Sequence, residues 1–508
     1  MHRREFIGLM GAAAVVGCGG GPDISGTSRV RLQTGEIEGQ IVDGVHRFLG
    51  IPYAEPPFGA NRFLLPVPSK PWSGLRRATA YGPICPQTGP GFLGDVPAEG
   101  EDCLSVNVWT PDPGTGGLPV MVWAHGGGQV TGSGASPIYE GTHFAKEGVV
   151  LITCNRRLGA EGYLYLPEHF SEGVGPGNLG IEDLIEVLRW VQANARAFGG
   201  DPGKVTLFGE SGGGAATQAL VATPASSGLV HRVIPQSGGH SAQYPEAASA
   251  ITALALSALG IKAGDLDALR AVPWTQFSEI YAGLQASEYA RPQVYTPVLS
   301  AAMPLHPVDV THAGAGADID YLIGTCRDEF RLFATLLMGS TDSPFHHRAA
   351  KLIEAAGADR DALFAAYRTE RPDLDEDDAE TALLGDIWFL VPSIRIAEGH
   401  SGRTFMYRFD WESQLLGATH AMDVAVFGNG VPFGALAGLR SPDRVAANMR
   451  KAWVQFAATG NPGWPEYRMD ERLTMSLDDE FRLLTDPYRG QREAIGEALT
   501  MNWRERGV

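Results

Sequence analysis

The sequence has few basic residues, few cysteines and few long apolar runs, and each scarcity excludes a class of protein. Lysine and arginine number 40 against 58 aspartates and glutamates, which gives the 508-residue chain a formal net charge of −18. This balance argues against a nucleic-acid partner, because phosphate binding requires clustered lysine and arginine. No segment is apolar and long enough to cross a membrane, and no clustered metal-ligand spacing, internal repeat or low-complexity block appears. The composition is that of an ordinary globular protein, and we expect no metal or cofactor.

The first residues carry export patterns rather than part of a fold. Arg3-Arg4-Glu5-Phe6-Ile7 resembles a twin-arginine export signal, and the apolar stretch 8–16 is too short to span a bilayer. Val15-Val16-Gly17-Cys18 resembles a bacterial lipoprotein processing box. We therefore expect residues 1–17 to be removed, Cys18 to be acylated on the outer face of a membrane, and residues 18–27 to form a tether. The alternative is an ordinary cleaved signal with release into the periplasm or medium.

The five cysteines divide by context. If Cys18 carries lipid, Cys85, Cys103, Cys154 and Cys326 remain, and they allow three connectivities if all are paired. Export permits disulfides, and a bridge between the neighbouring Cys85 and Cys103 would close a short loop. Cys154 ends an apolar run, which favours a buried free thiol. A catalytic cysteine is not expected, because none has a histidine or a motif beside it.

Strand-like and helical patterns alternate along the chain. Segments 118–124, 149–153 and 205–208 are strand-like, and 182–198 repeats apolar residues on one helical face. This alternation predicts a mainly parallel sheet covered by helices on both sides. Segments 245–291 and 343–397 are helix-rich, which is typical of insertions that cap an active site. We therefore predict one α/β domain over residues 28–505, with helical cap insertions.

A nucleophile elbow is the strongest motif. Residues 198–213 run an apolar strand into the turn Gly209-Glu210-Ser211-Gly212-Gly213, and small helix-forming residues follow. Gly-x-Ser-x-Gly arises by chance in a chain with 65 glycines, but the flanking strand and helix favour the functional interpretation. Ser211 is the predicted nucleophile.

A second glycine run is a candidate oxyanion hole. His125-Gly126-Gly127-Gly128 directly follows the strand-like segment 118–124, where free backbone amides can donate to a developing oxyanion. We expect the donors to be the amides of Gly127, Gly128 and Gly212. The alternative is a flexible turn.

In α/β-hydrolases the acid and then the histidine follow the serine along the chain. Segment 321–330 is a strand-like run that leads into an acidic turn. On chemical grounds either Asp328 or Glu329 could be the acid of the triad. His420 lies in a late loop suited to reach back over the serine, and spacing favours it. The candidate bases after the acidic turn are His346, His347, His400 and His420.

The chain resembles the type-B carboxylesterases, the family that includes cholinesterases and bacterial para-nitrobenzyl esterases. Segment 198–213 is similar to the serine signature of that family, and Glu101-Asp102-Cys103-Leu104-Ser105-Val106-Asn107-Val108-Trp109-Thr110-Pro111 is similar to its second signature. The likeness extends over most of the mature chain, at segments 48–57, 81–87, 235–238 and 459–465. The resemblance implies an α/β-hydrolase fold and ester hydrolysis.

The resemblance also assigns roles. It implies Glu329 rather than Asp328 as the acid, and His420 as the base, since an acidic residue, Asp423, stands three positions on. It implies a disulfide between Cys85 and Cys103. We expect Glu210 and Asp423 to contact the catalytic residues without contacting the substrate. Trp388 and Phe389 lie in an aromatic stretch that either lines the pocket or, as we favour, belongs to the core.

Three departures from the family limit the specificity. The loop between Cys85 and Cys103 has no tryptophan to hold a choline group, which argues against a choline-ester specialist. Gln129 stands where an aromatic residue is usual, and we expect it to alter the pocket wall. Gly212 replaces a common alanine, a change that the oxyanion hole tolerates because only the amide is used.

Together these features predict an exported serine hydrolase that acts on neutral carboxylic esters through an acyl-enzyme, with Ser211, His420 and Glu329 as its triad. Its expected partners are a small-molecule ester and, through the lipid, a membrane surface. The alternatives are an amide, thioester or lactone hydrolase of the same fold, or a non-catalytic binding module. Neither the natural ester nor the oligomeric state follows from the sequence.

Overall fold

The structure is a computed structural model that describes residues 23–88, 94–239, 242–287, 293–335, 360–372, 374–431, 438, 440–493 and 495. The predicted signal, Cys18, His346 and His347 lie outside these residues. The first strand begins at Ile24. Residues 24–27, predicted as part of the tether, therefore belong to the folded domain.

Thirteen strands form one sheet in the described part of the chain, in the order β1-β2-β3-β5-β7-β6-β8-β9-β10-β11-β12-β13, with β4 paired to β2. The strands are β1 (Ile24–Arg31), β2 (Glu36–Val42), β3 (Val45–Pro52), β4 (Leu75–Arg77), β5 (Ser105–Thr110), β6 (Leu118–Ala124), β7 (Val150–Cys154), β8 (Gly200–Glu210), β9 (Arg232–Gln236), β10 (Asp320–Cys326), β11 (Thr404–Phe409), β12 (Leu473–Leu477) and β13 (Arg482–Thr485).

The centre of the sheet is parallel, from β7 through β6, β8, β9, β10 and β11 to β12. Antiparallel strands extend it at both edges. The strand-like segments 118–124 and 205–208 coincide with β6 and with part of β8. Central strands read as continuous apolar runs because both faces of a parallel sheet are buried.

Helices cover both faces, as the alternating pattern predicted. The α-helices are α1 (Thr142–Lys146), α2 (Gly159–Tyr163), α3 (Leu179–Asn194), α4 (Gly212–Val221), α5 (Pro245–Leu259), α6 (Leu266–Ala271), α7 (Trp274–Gln285), α8 (Arg360–Glu370), α9 (Glu376–Gly385), α10 (Val391–Gly399) and α11 (Asp443–Thr459), with a helical turn at Arg331–Phe333 and a π-helical segment at Asp386–Leu390. Short 3₁₀ segments lie at Gly59–Asn61, Pro137–Tyr139, Ala195–Phe198, Pro224–Ser226 and Met422–Phe427. The helix-rich insertions are confirmed by α5 to α7 and by α8 to α10.

Alternating side chains of β6 divide the core into two layers. Val120 and Val122 face one layer, where the apolar face of α3 packs, and Met121 and Trp123 face the other, where α11 packs. This is the two-residue period of a strand buried on both sides.

A buried ion pair ties the loop after β7 to α3. Arg157 donates to both carboxylate oxygens of Asp183 through its side chain, at 2.7 to 3.2 Å, and its backbone amide donates to Asp183 Oδ2 at 2.8 Å. The two side chains are 2% and 0% exposed. Because the charges compensate each other away from water, the loop is held against the helix.

The four cysteines within the described residues are free and buried. Cys85 and Cys103 interact, since burial and then the neighbouring Cys103 raise the pKa of the Cys85 thiol. The disulfide that the resemblance implied is therefore not formed in this structure, although the two residues are brought together. Cys154 is the buried free thiol that its apolar run indicated, and burial raises its pKa to about 12.

In the described part of the chain, no helix is both long enough and apolar enough to span a bilayer.

Candidate active site

Ser211 occupies a sharp turn between β8 and α4. Its backbone has φ 54° and ψ −121°, a conformation that is unfavourable for a residue with a side chain and is typical of functional turns. Its amide donates to the carbonyl of Gln236 at 3.0 Å. The turn requires glycine at position 213, since a Cβ there would lie 1.9 Å from the carbonyl oxygen of Ala124 in β6. The sequence therefore forms an elbow because β8 and α4 pack tightly against β6.

The glycine run after β6 lies directly against the turn. Gly127 and Gly128 have φ of 107° and 60°, left-handed values that favour glycine. A Cβ on Gly212 would lie 2.7 Å from the amide nitrogen of Gly128 and 3.1 Å from that of Gln129. The structure thus brings together the three residues that the sequence predicted as oxyanion donors.

The side chain of Gln129, which was expected to alter the pocket wall, turns away from solvent and is 1% exposed. Nε2 donates to the carbonyl of Gly212 at 2.6 Å, and Oε1 accepts from Arg156 Nη2 at 3.0 Å. A residue in a loop has no strand or helix period, so its direction could not be read from the sequence.

His420 and Glu329 form a close pair. Nδ1 of His420 lies 2.5 Å from Oε2 of Glu329, and each residue is 3% exposed. Glu329 follows β10 and His420 follows β11, and these parallel strands are neighbours. The carboxyl ends of adjacent parallel strands meet at one edge of a sheet, which is why residues so far apart in sequence come into contact.

The loops after β10 and β11 are bonded to each other through Asp328. Its amide donates to the carbonyl of Ala418 at 2.9 Å, and its Oδ2 accepts from the amide of Ala418 at 3.2 Å. Asp328 also pairs with Arg327 and Arg371. Its carboxylate is thus committed to the loops, whereas that of Glu329 contacts the histidine.

The other described histidine candidate lies elsewhere. His400 interacts through its ring with Thr404 Oγ1 at 2.8 Å and with the carbonyl of Gly316 at 3.0 Å. It therefore takes no part in the cluster around Ser211.

The second ring nitrogen of His420 faces Glu210. Nε2 lies 3.1 Å from Oε1 of Glu210, the residue before Ser211, and no hydrogen bond joins Ser211 Oγ to His420 among the described contacts. Catalytic hydrogen bonds are often long before substrate binds. Glu210 is therefore a direct neighbour of the base.

Carboxylates around His420 change the acid-base properties of the site. Burial lowers the pKa of His420, but the charges of Glu210, Glu329 and Asp423 outweigh it and raise this pKa to about 9. Burial raises the pKa of Glu210 to about 8 and that of Asp423 to about 6, against the opposing influence of His420 on both. Asp423 accepts from Tyr407 Oη at 2.9 Å. The cluster thus retains protons to a higher pH than isolated groups would.

Sequence reasoning assigned no role to Ser237. It follows β9, and its Oγ donates to Glu329 Oε1 at 2.5 Å, beside the amide of Cys326 at 2.7 Å. Glu329 is therefore held by two donors in addition to the histidine. The signal was available, since a polar residue directly after an apolar strand lies at the same sheet edge as Ser211.

Two aromatic rings cover His420. Phe389 and Phe333 have ring centroids 4.7 and 5.1 Å from that of the imidazole, and both are only partly buried. Trp388 and Phe389 both pack on Phe330, with ring centroids 6.4 Å from that of its ring. The core assignment thus fits Trp388 better than Phe389, which lies over the histidine at the edge of the cap.

No group of three or more His, Cys, Asp or Glu within the described ranges is arranged to hold a metal ion.

A mostly parallel sheet covered on both faces, with a strained serine at its carboxyl edge, is the architecture of an α/β-hydrolase. The sequence profile of the carboxylesterase family matches residues 26–494. The chain therefore belongs to the carboxylesterase family and is a carboxylic ester hydrolase.

Individual relatives support the same family. Para-nitrobenzyl esterase of Bacillus subtilis (strain 168) is 37% identical over 492 residues, which cover 92% of this chain and 98% of the relative. Phenmedipham hydrolase of Pseudarthrobacter oxydans is 34% identical, over 88% of this chain and 94% of the relative. The crystal structure of a Geobacillus stearothermophilus carboxylesterase has a TM-score of 0.81 at 33% identity, over 92% of this chain and 99% of the other.

Proposed function

We propose that this carboxylesterase hydrolyses neutral carboxylic esters through an acyl-enzyme on Ser211, with His420 as the base and Glu329 as the orienting acid. The observation that carries the proposal is the 2.5 Å contact between His420 Nδ1 and Glu329, at the same sheet edge as the strained Ser211. A base oriented by a third group, close to a strained nucleophile, is the arrangement that acyl transfer requires.

The chemistry follows from these positions. Ser211 Oγ attacks the ester carbonyl while His420 Nε2 takes its proton, and the carbonyl oxygen becomes an oxyanion held by the amides of Gly127, Gly128 and Gly212. The intermediate collapses, and the imidazolium returns the proton to the leaving alcohol. A water molecule, deprotonated by His420, then attacks the acyl carbonyl and releases the acid together with Ser211.

Glu210 has a part in this cycle. In the free enzyme Nε2 faces Glu210 at 3.1 Å, and catalysis requires the same nitrogen to receive the proton of Ser211. Once the imidazolium forms, the adjacent carboxylate stabilises its positive charge. Glu210 thus favours the protonated state of His420 both before and during the reaction.

The charge around the site supports a neutral substrate. Glu210, Glu329 and Asp423 surround one histidine in a buried setting, so an ester with a carboxylate near its acyl carbon would meet repulsion. The aromatic rings of Phe389 and Phe333 offer an apolar contact instead. The loop between Cys85 and Cys103 has no tryptophan, which argues against choline esters.

Replacement of Ser211 by alanine tests the proposal. We expect turnover of a panel of p-nitrophenyl esters to fall by a factor of about 10³ or more. Ser226→Ala is a matched control, since Ser226 is a buried serine whose hydroxyl donates to the carbonyls of Leu220 and Thr223, away from the cluster around Ser211. A fluorophosphonate probe followed by peptide mapping should mark Ser211; unchanged turnover, or a mark on Ser237, would contradict the proposal.

We also propose that the protein is exported and carries lipid on Cys18. The proposal is supported by the paired arginines Arg3 and Arg4 and by the processing pattern that ends at Cys18. Because β1 begins at Ile24, the tether would span residues 19–23 only. Metabolic labelling with a fatty acid should be lost in Cys18→Ala and kept in Cys154→Ala; label that persists in Cys18→Ala would exclude this anchor.

A further inference from the structure

We infer that Gln129 is a positioning residue that clamps the two halves of the oxyanion hole together. One half is the glycine run after β6, and the other is the amide of Gly212 after the nucleophile. The inference rests on the proposed acyl-transfer function, because the hole matters only if an oxyanion forms there.

The contacts of Gln129 reach both halves at once. Its backbone belongs to the loop that begins with the glycine run, and its Nε2 donates to the carbonyl of Gly212 at 2.6 Å. Its own carbonyl accepts from the amide of Gly159 at 2.8 Å, which anchors the loop from the other side. The side chain thus forms a cross-link between the residue that follows Ser211 and the loop that faces it.

Arg156 holds the clamp in place. Its Nη2 donates to Gln129 Oε1 at 3.0 Å and to the carbonyl of His125 at 3.1 Å. The guanidinium is 0% exposed, and no ion pair within the described ranges includes it. His125 begins the glycine run and Gln129 follows it, so one buried cation fixes both ends of the run. It also orients Gln129, since it accepts no hydrogen bond and selects the oxygen of the amide, which leaves Nε2 for Gly212.

Gly212 is the residue whose position the clamp fixes. A Cβ at this position would lie 2.7 Å from the amide nitrogen of Gly128, so glycine permits an approach that alanine would prevent. Glycine is also the residue whose backbone loses most freedom on folding, and it has no side chain to fix its orientation. The bond from Gln129 supplies that restraint.

The backbone of Gln129 is strained, which supports a functional role. Its φ of 64° lies in the left-handed region, which costs a residue with a side chain about 1 kcal/mol or more. Glycine would adopt this φ with less strain. The hydrogen bonds of the Gln129 side chain to Gly212 and Arg156 therefore offset this strain.

The inference makes a distinctive kinetic prediction. The oxyanion is absent from the bound substrate and forms only in the tetrahedral intermediate and its flanking transition states, so a misplaced donor lowers kcat and leaves KM nearly unchanged. Displacement of catalytic groups by about 1 Å can reduce the rate about 100-fold. A residue that served only the fold would instead lower the fraction of active enzyme and leave the properties of each active molecule unchanged.

Gln129→Met tests the clamp, because it keeps length and burial and removes both hydrogen bonds. For a p-nitrophenyl ester we expect kcat to fall 10- to 100-fold, with KM within threefold of the wild type. Ser211 adds to the carbonyl of a trifluoromethyl ketone and forms a stable hemiketal oxyanion. Affinity for such a ketone should therefore fall by a similar factor. Active-site titration with a fluorophosphonate corrects for unfolded protein.

The matched control is Gln243→Met. Gln243 is a buried glutamine whose Nε2 donates to the carbonyl of Val294 at 3.3 Å, and no hydrogen bond among the described residues joins its side chain to the glycine run. We expect its kcat and ketone affinity to stay within threefold of the wild type. If Gln129→Met does not fold, Gln129→Glu replaces it, since the carboxylate keeps the contact with Arg156 but cannot donate to Gly212 when ionised.

A double-mutant cycle with Gly212→Ala completes the test. In the wild-type background the new Cβ meets a clamped loop, whereas in Gln129→Met the loop is free to move away. The loss caused by Gly212→Ala should therefore be smaller in the Gln129→Met background, and additive losses would contradict the clamp. Unchanged kcat in the Gln129 variants would also refute it, while loss of turnover in Ser211→Ala would leave the proposed function intact.

Discussion

Glu210→Gln should shift the pH dependence of the esterase to lower pH. Glu210 is the first of the carboxylates that raise the pKa of His420 to about 9, and its Oε1 lies 3.1 Å from Nε2. A protonated imidazole cannot accept the proton of Ser211, so kcat/KM rises as pH passes through this pKa. Removing the charge of Glu210 lowers the pKa, and activity should appear earlier on the pH scale.

The magnitude follows from the geometry. Two unit charges at this distance interact by about 5 kcal/mol at an effective dielectric constant of about 20, which is an upper limit of about 4 pH units. We expect a smaller shift, because Glu210 and His420 titrate as a coupled pair with pKa values of about 8 and about 9, so their interaction is shared between the two groups. We expect the acid limb to move down by about 1 to 2 units.

The maximal activity at high pH should change as well. Glu210→Gln also removes a charge that stabilises the imidazolium, so the maximal kcat should fall while the acid limb moves down. The assay is kcat/KM for a p-nitrophenyl ester from pH 5 to 10, followed by proton release in a pH-stat. Glu186→Gln is the control, since Glu186 is a buried carboxylate on α3 that pairs with Arg189 at 3.4 Å. An acid limb that stays in place or moves up would refute the reasoning.

Three further variants test other parts of the structure. Asp183→Asn leaves Arg157 buried without its charge partner, and the free energy of unfolding in urea should fall by about 3 to 5 kcal/mol; a loss below about 1 kcal/mol would contradict this. Phe389→Ala opens space beside the ring of His420, so kcat/KM for a p-nitrophenyl octanoate relative to the acetate should rise, and an unchanged ratio would show that Phe389 does not bound the substrate. Burial raises the pKa of Asp386 to about 7, so the folded state binds a proton that the unfolded state has released; stability should fall as pH rises through about 4 to 7, and Asp386→Asn should flatten that fall in urea titrations.

Local patterns predicted the framework of the fold well. The run 118–124 coincides with β6, and the apolar face predicted for the helical segment 182–198 is buried against the sheet in α3. Apolar periodicity reports burial, and in a parallel sheet burial is what defines strands and helices. The order serine, acid, histidine was likewise readable, because the topology requires it.

The roles of the site residues were less predictable where they depend on contacts with residues distant in sequence. Asp328 and Glu329 are chemically equivalent as acids, so local sequence could not choose between them; the family resemblance favoured Glu329, and in the structure Glu329 contacts His420 while Asp328 bonds to Ala418. The contacts of Gln129 were not predicted, because its direction depends on Arg156 and Gly212, which are distant in sequence. Such positions depend on three-dimensional neighbours that no local pattern encodes.

The bonds between Asp328 and Ala418 join the loops that carry the acid and the base. Between these loops the described chain forms the cap helices α8, α9 and α10 and then the sheet strand β11. Changes confined to α8 and α9 should therefore leave the spacing of Glu329 and His420 unaltered, since β10 and β11 remain paired. Variants of these two helices would test whether ester preference can change while the acid and the base stay in place.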